Sequence, residues 1–273
     1  MTLTKSPEFR LSPASAAVDI HEEGDRIRIR VPYGCEASLV ERYAPQDGAA
    51  STPIKIQILL ADNARLTHYK IIDESPETTH HSFVEASVGR AAVFESHVFM
   101  LSGARVNNTL HVRLNAPGAE CTLNGLYLGH AQQVLETHTL IEHLYPHGTS
   151  RELYKGILDD QSQGLFDGLI VVAQGAQKTD SVQTNKNLLL SPQAKAKSNP
   201  ELKILANDVK CKHGSTIGQI DPTPLFYLQS RGIPADEARR LLIYAFASEM
   251  INKVAMSDVR EMLEKKLLAT FGG

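Results

Sequence analysis

Cys211 and His213, one residue apart in DVKCKHGST (208–216), are the side chains best suited to chemistry in this sequence. Thiolate and imidazole are suitable ligands for iron and its clusters. In an extended segment Val209, Cys211 and His213 share one face, while Asp208, Lys210 and Lys212 share the other and meet water. The pair then faces a core or a partner. Two such side chains stand about 7 Å apart along a strand, and one Cys with one His falls short of a closed four-ligand site. Two readings follow: a ligand set completed by another chain across an interface, or a buried thiol beside a hydrogen-bonded imidazole.

Other candidates carry less. His143 and His147 would share a helix face, but Pro146 between them disfavours a helix. His80-His81, in the polar loop-like stretch ESPETTHHS, reads as a solvated surface pair. Lys178 and Asp180, in AQKTDSVQTNKNLLLS (176–191), could act in a polysaccharide groove, but glycoside chemistry needs a second positioned carboxylate. Phosphate-binding loops, the dinucleotide fingerprint, the nucleophile elbow and the H-E-x-x-H pair are all missing, so an ATP-driven step needs another subunit.

The elements that must position these residues fall into two groups. Up to about Arg113, short β-branched runs recur: RIRIRV (26–31), IKIQILL (54–60), HYKII (68–72), AAVFESHVFM (91–100) and TLHVRL (109–114). Several alternate polar with apolar and read as strands with one buried face. Between Glu120 and Leu190, Asn124-Gly125-Leu126 is echoed by Asp167-Gly168-Leu169 and Ala131-Gln132 by Ala176-Gln177, an offset of 43 to 45 residues. With no helices between the strands, this favours stacked coils of a β-helix over a βαβ sheet, and a β-sandwich is the plainer alternative. From Asp221 the pattern turns helical. Asp221 is an N-cap with Pro222 behind it, and Gly232 suits a C-terminal stop. A second helix is expected over Asp236–Val254 and a third over Ser257–Phe271. The expected division is a β core over 1–220 and a helical domain over 221–273.

With 273 residues, 42% of them hydrophobic, the chain can bury a sizeable core. Its net charge of −3 gives no broad cationic field for nucleic acid or anionic lipid. No apolar run reaches the roughly 20 residues of a spanning helix, and the N-terminus lacks a secretory core, so a cytoplasmic protein is expected, off the membrane. Cys35, Cys121 and Cys211 are odd in number and widely spaced, as reduced thiols are.

Three blocks in order, YKGIL (154–158), AQKTDSVQTNKNLLLS and DVKCKHGSTIGQIDPTPLFYLQSR (208–231), closely resemble the SufB/SufD family of iron–sulfur cluster assembly subunits, on its SufD branch. Two features typical of the SufB branch, H-E-A-T after the matching histidine and S-Q-C-D upstream, are replaced here by His213-Gly214-Ser215-Thr216 and Ala176-Gln177-Lys178-Thr179-Asp180. The resemblance implies a mainly β fold, a right-handed parallel β-helix with a short C-terminal helical appendage. It implies a non-catalytic subunit that meets a SufB-like scaffold near His213, the main site residue, with Cys211 the weaker one, around a transient iron or iron–sulfur cluster. No tightly bound cofactor is implied.

It further implies a SufC-like ATPase docked on the C-terminal helices, whose ATP binding moves the attached subunits and rearranges the interface, and it allows a homodimer in isolation. Leu225, Phe226, Tyr227 and Arg231 are the expected contacts there: LFYLQSRG carries more apolar area than one face of a short helix buries, and the excess either meets a partner or packs against the following helix. The family carries a helical region ahead of the β-helix, and this chain begins near the β core. The rival readings are a stand-alone β-helix enzyme acting on polysaccharide and a purely structural β-solenoid.

Overall fold

The computed structural model describes residues 7–11, 17–23, 26–45 and 54–271. Its first eight strands are β1 (Glu8–Leu11), β2 (Asp19–Glu23), β3 (Arg26–Val31), β4 (Glu36–Tyr43), β5 (Ile54–Leu60), β6 (Arg65–Asp73), β7 (Thr79–Val88) and β8 (Val93–Ser102). The next eight are β9 (Arg105–Leu114), β10 (Glu120–Gly129), β11 (Val134–His143), β12 (Thr149–Leu158), β13 (Gln163–Val172), β14 (Asp180–Leu189), β15 (Lys195–Ile204) and β16 (Lys210–Gln219). Helices α1 (Pro222–Ser230), α2 (Ala235–Ile251) and α3 (Ser257–Phe271) follow.

From β3 onward the strands alternate between two sheets, and each pairs in parallel with the strand two ahead. This is a β-solenoid with two strands per coil, as the short runs and missing crossover helices predict. The repeat is not the expected one. Glu120, Thr149, Asp180 and Lys210 stack in register, so a coil takes about 30 residues. The 43-to-45-residue echo spans one and a half coils: Asn124 lies in β10 and Asp167 in β13, on opposite sheets. A repeat of short common tripeptides is weaker than the hydrogen-bonded register, and the register decides.

One corner of the coil carries that register. Gly34, Asn63, Ala91, Gly118, His147 and Lys178 all have positive φ, between 51° and 70°. Each donates its backbone N–H to a carbonyl of the following coil: Asp62, Arg90, Pro117, Pro146, Gln177 and Asp208 in turn. The bond offsets the cost of a left-handed conformation that non-glycine residues rarely take.

Two apolar layers hold the molecule together. Ile29, Leu39, Ile58, Phe94, Val106, Leu135 and Phe166 fill the lumen between the sheets. A second layer lies outside the β4–β14 sheet, where Tyr69, Ile71, Phe99, Leu126 and Ile157 meet Ile243, Ala247, Met250, Leu263 and Leu267 of α2 and α3. Strands covered on both faces lose their alternation of burial, which is why β8 is buried at every residue from Ser96 to Ser102. Lys155 pins this layer. Its ammonium, on β12, donates to the Phe246 carbonyl and to Glu249, each at 2.7 Å, and sits 4.2 Å from the Phe246 ring centre.

The lumen also holds ionised groups. His68 Nε2 and Glu41 Oε2 are 2.7 Å apart, Lys70 lies 3.4 Å from the same carboxylate, and Tyr43 donates to it at 2.5 Å. Burial would raise the Glu41 carboxyl, but Lys70, His68 and Tyr43 hold it down at about 2. His80 belongs to this interior, bonded to Glu74 and Ser82 and fully buried. This corrects the reading of His80-His81 as a surface pair: both are in β7, whose alternation sends His80 inward and leaves His81 outside. The three cysteines are free thiols. Among the described residues no helix is long and apolar enough to cross a membrane.

Candidate functional site: the open end of the solenoid

The two ends of the solenoid differ. At the first coil the sheets finish in β1 and β2, short strands that pair antiparallel with β4 and β3. At the last coil they finish in β16 and β15, ten residues each, and neither has a further strand beside it among the described residues. The inward row of β16, Cys211, His213, Ser215 and Ile217, stacks in register on Ser181, Gln183, Asn185 and Asn187 of β14. The β14 residues are buried. Those of β16 have no coil above them, so His213 is exposed and only Cys211 is half-buried against the core. The alternation expected for Val209, Cys211 and His213 is present, and position at the last coil decides what it exposes.

His213 is held by the opposite sheet. Its Nδ1 lies 2.8 Å from the carbonyl oxygen of Pro200 on β15. A carbonyl only accepts, so Nδ1 carries the hydrogen and the Nε2 lone pair is left for a ligand. Backbone orientation of an imidazole in this way is what metal-ligating histidines commonly show. The Cys211 thiol is pushed up by burial, with the charge of Asp180 adding to it, so it rests protonated at neutral pH. No group of three His, Cys, Asp or Glu side chains among the described residues is arranged to hold a metal ion. Within this chain the Cys–His set is incomplete.

Below the mouth the lumen is polar. Ser181 bonds Ser150 at 2.7 Å, and Ser150 bonds His143 at 2.9 Å. Gln183 donates to Glu152 at 2.7 Å. Asn185 donates to the Tyr127 hydroxyl and the Tyr154 carbonyl, each at 3.2 Å, and Asn187 accepts from Tyr127. The polar stretch 176–191 thus turns its Ser, Gln and Asn residues inward. Lys178 is exposed and paired with Asp208, and Asp180 is half-buried and paired with Arg151. His147 is in the corner ladder and His143 is buried on Ser150, so that pair forms no site.

Helix α1 begins as read: Asp221 accepts from Thr223 N–H at 2.8 Å, Pro222 opens the helix, and Gly232 follows its end with φ of 87°. None of its residues is buried. Phe226 is 72% and Tyr227 56% exposed, Leu225 is half-buried, and the Arg231 guanidinium lies 5.3 Å from the Tyr227 ring centre.

Sequence reasoning missed Pro200, Gln183 and Glu152. The signal that finds the last two is the 30-residue coil, which places them under His213 on β14 and β12.

These features define a class of fold: a two-sheet parallel solenoid with an uncovered last coil among the described residues, a cysteine and a histidine on its rim and a helical tail. Residues 16–246 match the family model described as the SUF system FeS cluster assembly SufBD core domain, and the chain belongs to that family. It is 36% identical to the iron-sulfur cluster assembly protein SufD of Escherichia coli over 265 residues, covering 97% of this chain and 62% of that protein. An iron-sulfur cluster assembly SufBD family protein of Mycobacterium tuberculosis is 37% identical over 79% of this chain and 56% of its own length. SufD of Bacillus subtilis is 28% identical over 90% and 58%. The chain therefore spans about three fifths of the length of these relatives. Their likeness places it on the SufD side of the family.

Proposed function

We propose that this chain is a non-catalytic subunit of an iron–sulfur cluster assembly complex, joined by its open solenoid end to a SufB-type scaffold. The observation that carries this reading is the unfinished last coil. Strands β15 and β16 leave backbone N–H and C=O groups unpaired along an edge, and such an edge invites pairing with another chain. Ile204, Leu205 and Ile217 are exposed beside it. His213 and Cys211 then lie at the joint, where donors from the scaffold complete a set this chain holds only in part. Iron and sulfide are cargo in this reading.

The ATPase of the complex docks on α1 through Leu225, Phe226, Tyr227 and Arg231. The support is a helix that caps itself, buries none of its residues and keeps two aromatic rings in solvent. ATP binding by paired ATPase subunits then shifts this subunit against the scaffold and opens the joint at His213.

Co-expression with the SufB-like and SufC-like proteins of the same source, followed by size-exclusion chromatography with mass determination, tests the assembly. A complex with one copy of this chain, one scaffold and two ATPases is expected. A folded chain that elutes alone overturns the reading.

A further inference from the structure

The inward row of β14 beneath the mouth contains four polar side chains, and three of them use their hydrogen-bonding capacity inside the lumen. Ser181 is spent on Ser150. Asn185 uses its amide nitrogen on Tyr127 and Tyr154 and its oxygen on Asn187. Asn187 uses its nitrogen on Asn185 and its oxygen on Tyr127. Gln183 is different. Its nitrogen is fixed by Glu152, while its Oε1 is buried and has no partner. Buried polar atoms are almost always paired, so an orphan oxygen marks a group the free chain does not supply.

Its place is informative, because Gln183 is the residue in register with His213. A second orphan lies on the facing strand: Ser198 Oγ of β15, buried, unpartnered and two residues before the Pro200 carbonyl that orients His213. Together these atoms offer lone pairs: the carboxamide oxygen, the hydroxyl oxygen and imidazole Nε2. Ser198 and His213 lie on the last strands of the two sheets, with Gln183 in register under His213, and neutral oxygen with imidazole nitrogen suits a divalent first-row cation.

We propose that Gln183 is a further binding residue of the mouth, its Oε1 forming the floor of a site that takes a divalent iron ion together with His213 Nε2, with Ser198 beside it. Glu152 is its positioning residue: by accepting from Nε2 it fixes which end of the carboxamide is left for the ion. The site rests on the assembly reading above, and it adds to it an oxygen donor from inside this chain, two residues of which lie on strands that precede the Cys–His segment.

The test uses the complex with its scaffold, stripped of iron and titrated anaerobically with Fe2+ alone, for wild type, His213→Ala, Gln183→Leu and Ser181→Ala. Gln183→Leu is expected to weaken Fe2+ binding about tenfold or more, the range found when groups supporting a metal site are removed. Ser181→Ala, one step along the same buried row, is expected to leave it unchanged. Gln183→Glu covers the case in which the leucine variant does not fold: a carboxylate in the same place is expected to tighten Fe2+ binding, whereas a purely structural glutamine predicts a loss. Wild-type affinity in Gln183→Leu alongside a loss in His213→Ala overturns the proposal and leaves the assembly reading standing. Wild-type affinity in both, or no Fe2+ binding by the wild-type complex, overturns the proposal together with the placing of iron at His213.

Discussion

The ring of Tyr127 occupies the space that a side chain at Gly156 would need: a methyl group there would come within 2.1 Å of Tyr127 Cε2. The two residues are register partners on β10 and β12, and the relation is reciprocal two positions earlier, where Tyr154 lies over Gly125 at the same 2.1 Å. The YKGIL block interlocks in this way with NGLY one coil before it. Asn185 and Asn187 of the coil after it then bond the Tyr127 hydroxyl. Two blocks far apart in sequence prove to be one packed unit under the mouth.

Gly156→Ala therefore forces the Tyr127 ring and Asn187 aside in a filled lumen. A loss on the order of 3 kcal/mol is expected, at the upper end for overpacked cores. Urea denaturation checks this, and a midpoint within error of wild type would show that the lumen yields freely at this point.

Lys70→Met leaves Glu41 charged, buried and short of its cation, which costs about 3–5 kcal/mol. The double variant Glu41→Gln, Lys70→Met removes the charge as well and is expected to recover much of that loss. Equal destabilisation of the single and double variants, measured by thermal unfolding, would mean that the pair does not act as a unit.

The pH dependence of stability has opposed sources in the lumen. Burial pushes the Glu152 carboxyl up to about 7, against the Gln183 hydrogen bond, from an ordinary 4.5. The folded chain then holds a proton that the unfolded chain has released, so this contribution is present in full below pH 4.5 and is lost as pH rises through 7, by about 3 kcal/mol. Burial holds His143 down at about 4 from an ordinary 6.5, so its contribution rises with pH between those values. The two oppose each other in wild type from pH 4.5 to 6.5, and His80, which burial also lowers, adds to the rise. Glu152→Gln removes the first, and its urea midpoint is expected to climb across that window; curves parallel to wild type would place the Glu152 proton elsewhere.

The Pro200 contact fixes the His213 tautomer. With the imidazole neutral, 15N-detected NMR of the labelled protein is expected to show a protonated Nδ1 and an unprotonated Nε2, the form less favoured by the free histidine side chain. The reverse pattern would remove the argument that Nε2 is presented for a ligand.

Lys155→Met removes the one ammonium that joins β12 to the Phe246 carbonyl and Glu249. Hydrogen exchange in α2 is expected to show local opening easier by about 1–2 kcal/mol, the worth of a charge-assisted bond, while β12 stays protected. Unchanged α2 protection would assign the attachment to the apolar layer alone.

The sequence by itself determined the local states. The runs 26–31 and 54–60 coincide with β3 and β5, and Asp221, Pro222 and Gly232 mark both ends of α1, because strand alternation and helix caps are set by neighbours within a few residues. Family blocks at 154–158, 176–191 and 208–231 also picked out the segments that the fold stacks. Tertiary structure decided the rest. The coil period, the burial of His80, the inward turn of Gln183 and the exposure of His213 depend on which strand lies 30 residues away. That pairing is made by left-handed corner residues as unlike as Gly34, Ala91 and Lys178, which share a backbone conformation and no side-chain chemistry. Cys211 and His213 obey the same alternation as the buried Ser181 and Gln183 beneath them. They meet solvent for one physical reason: no further coil covers them among the described residues.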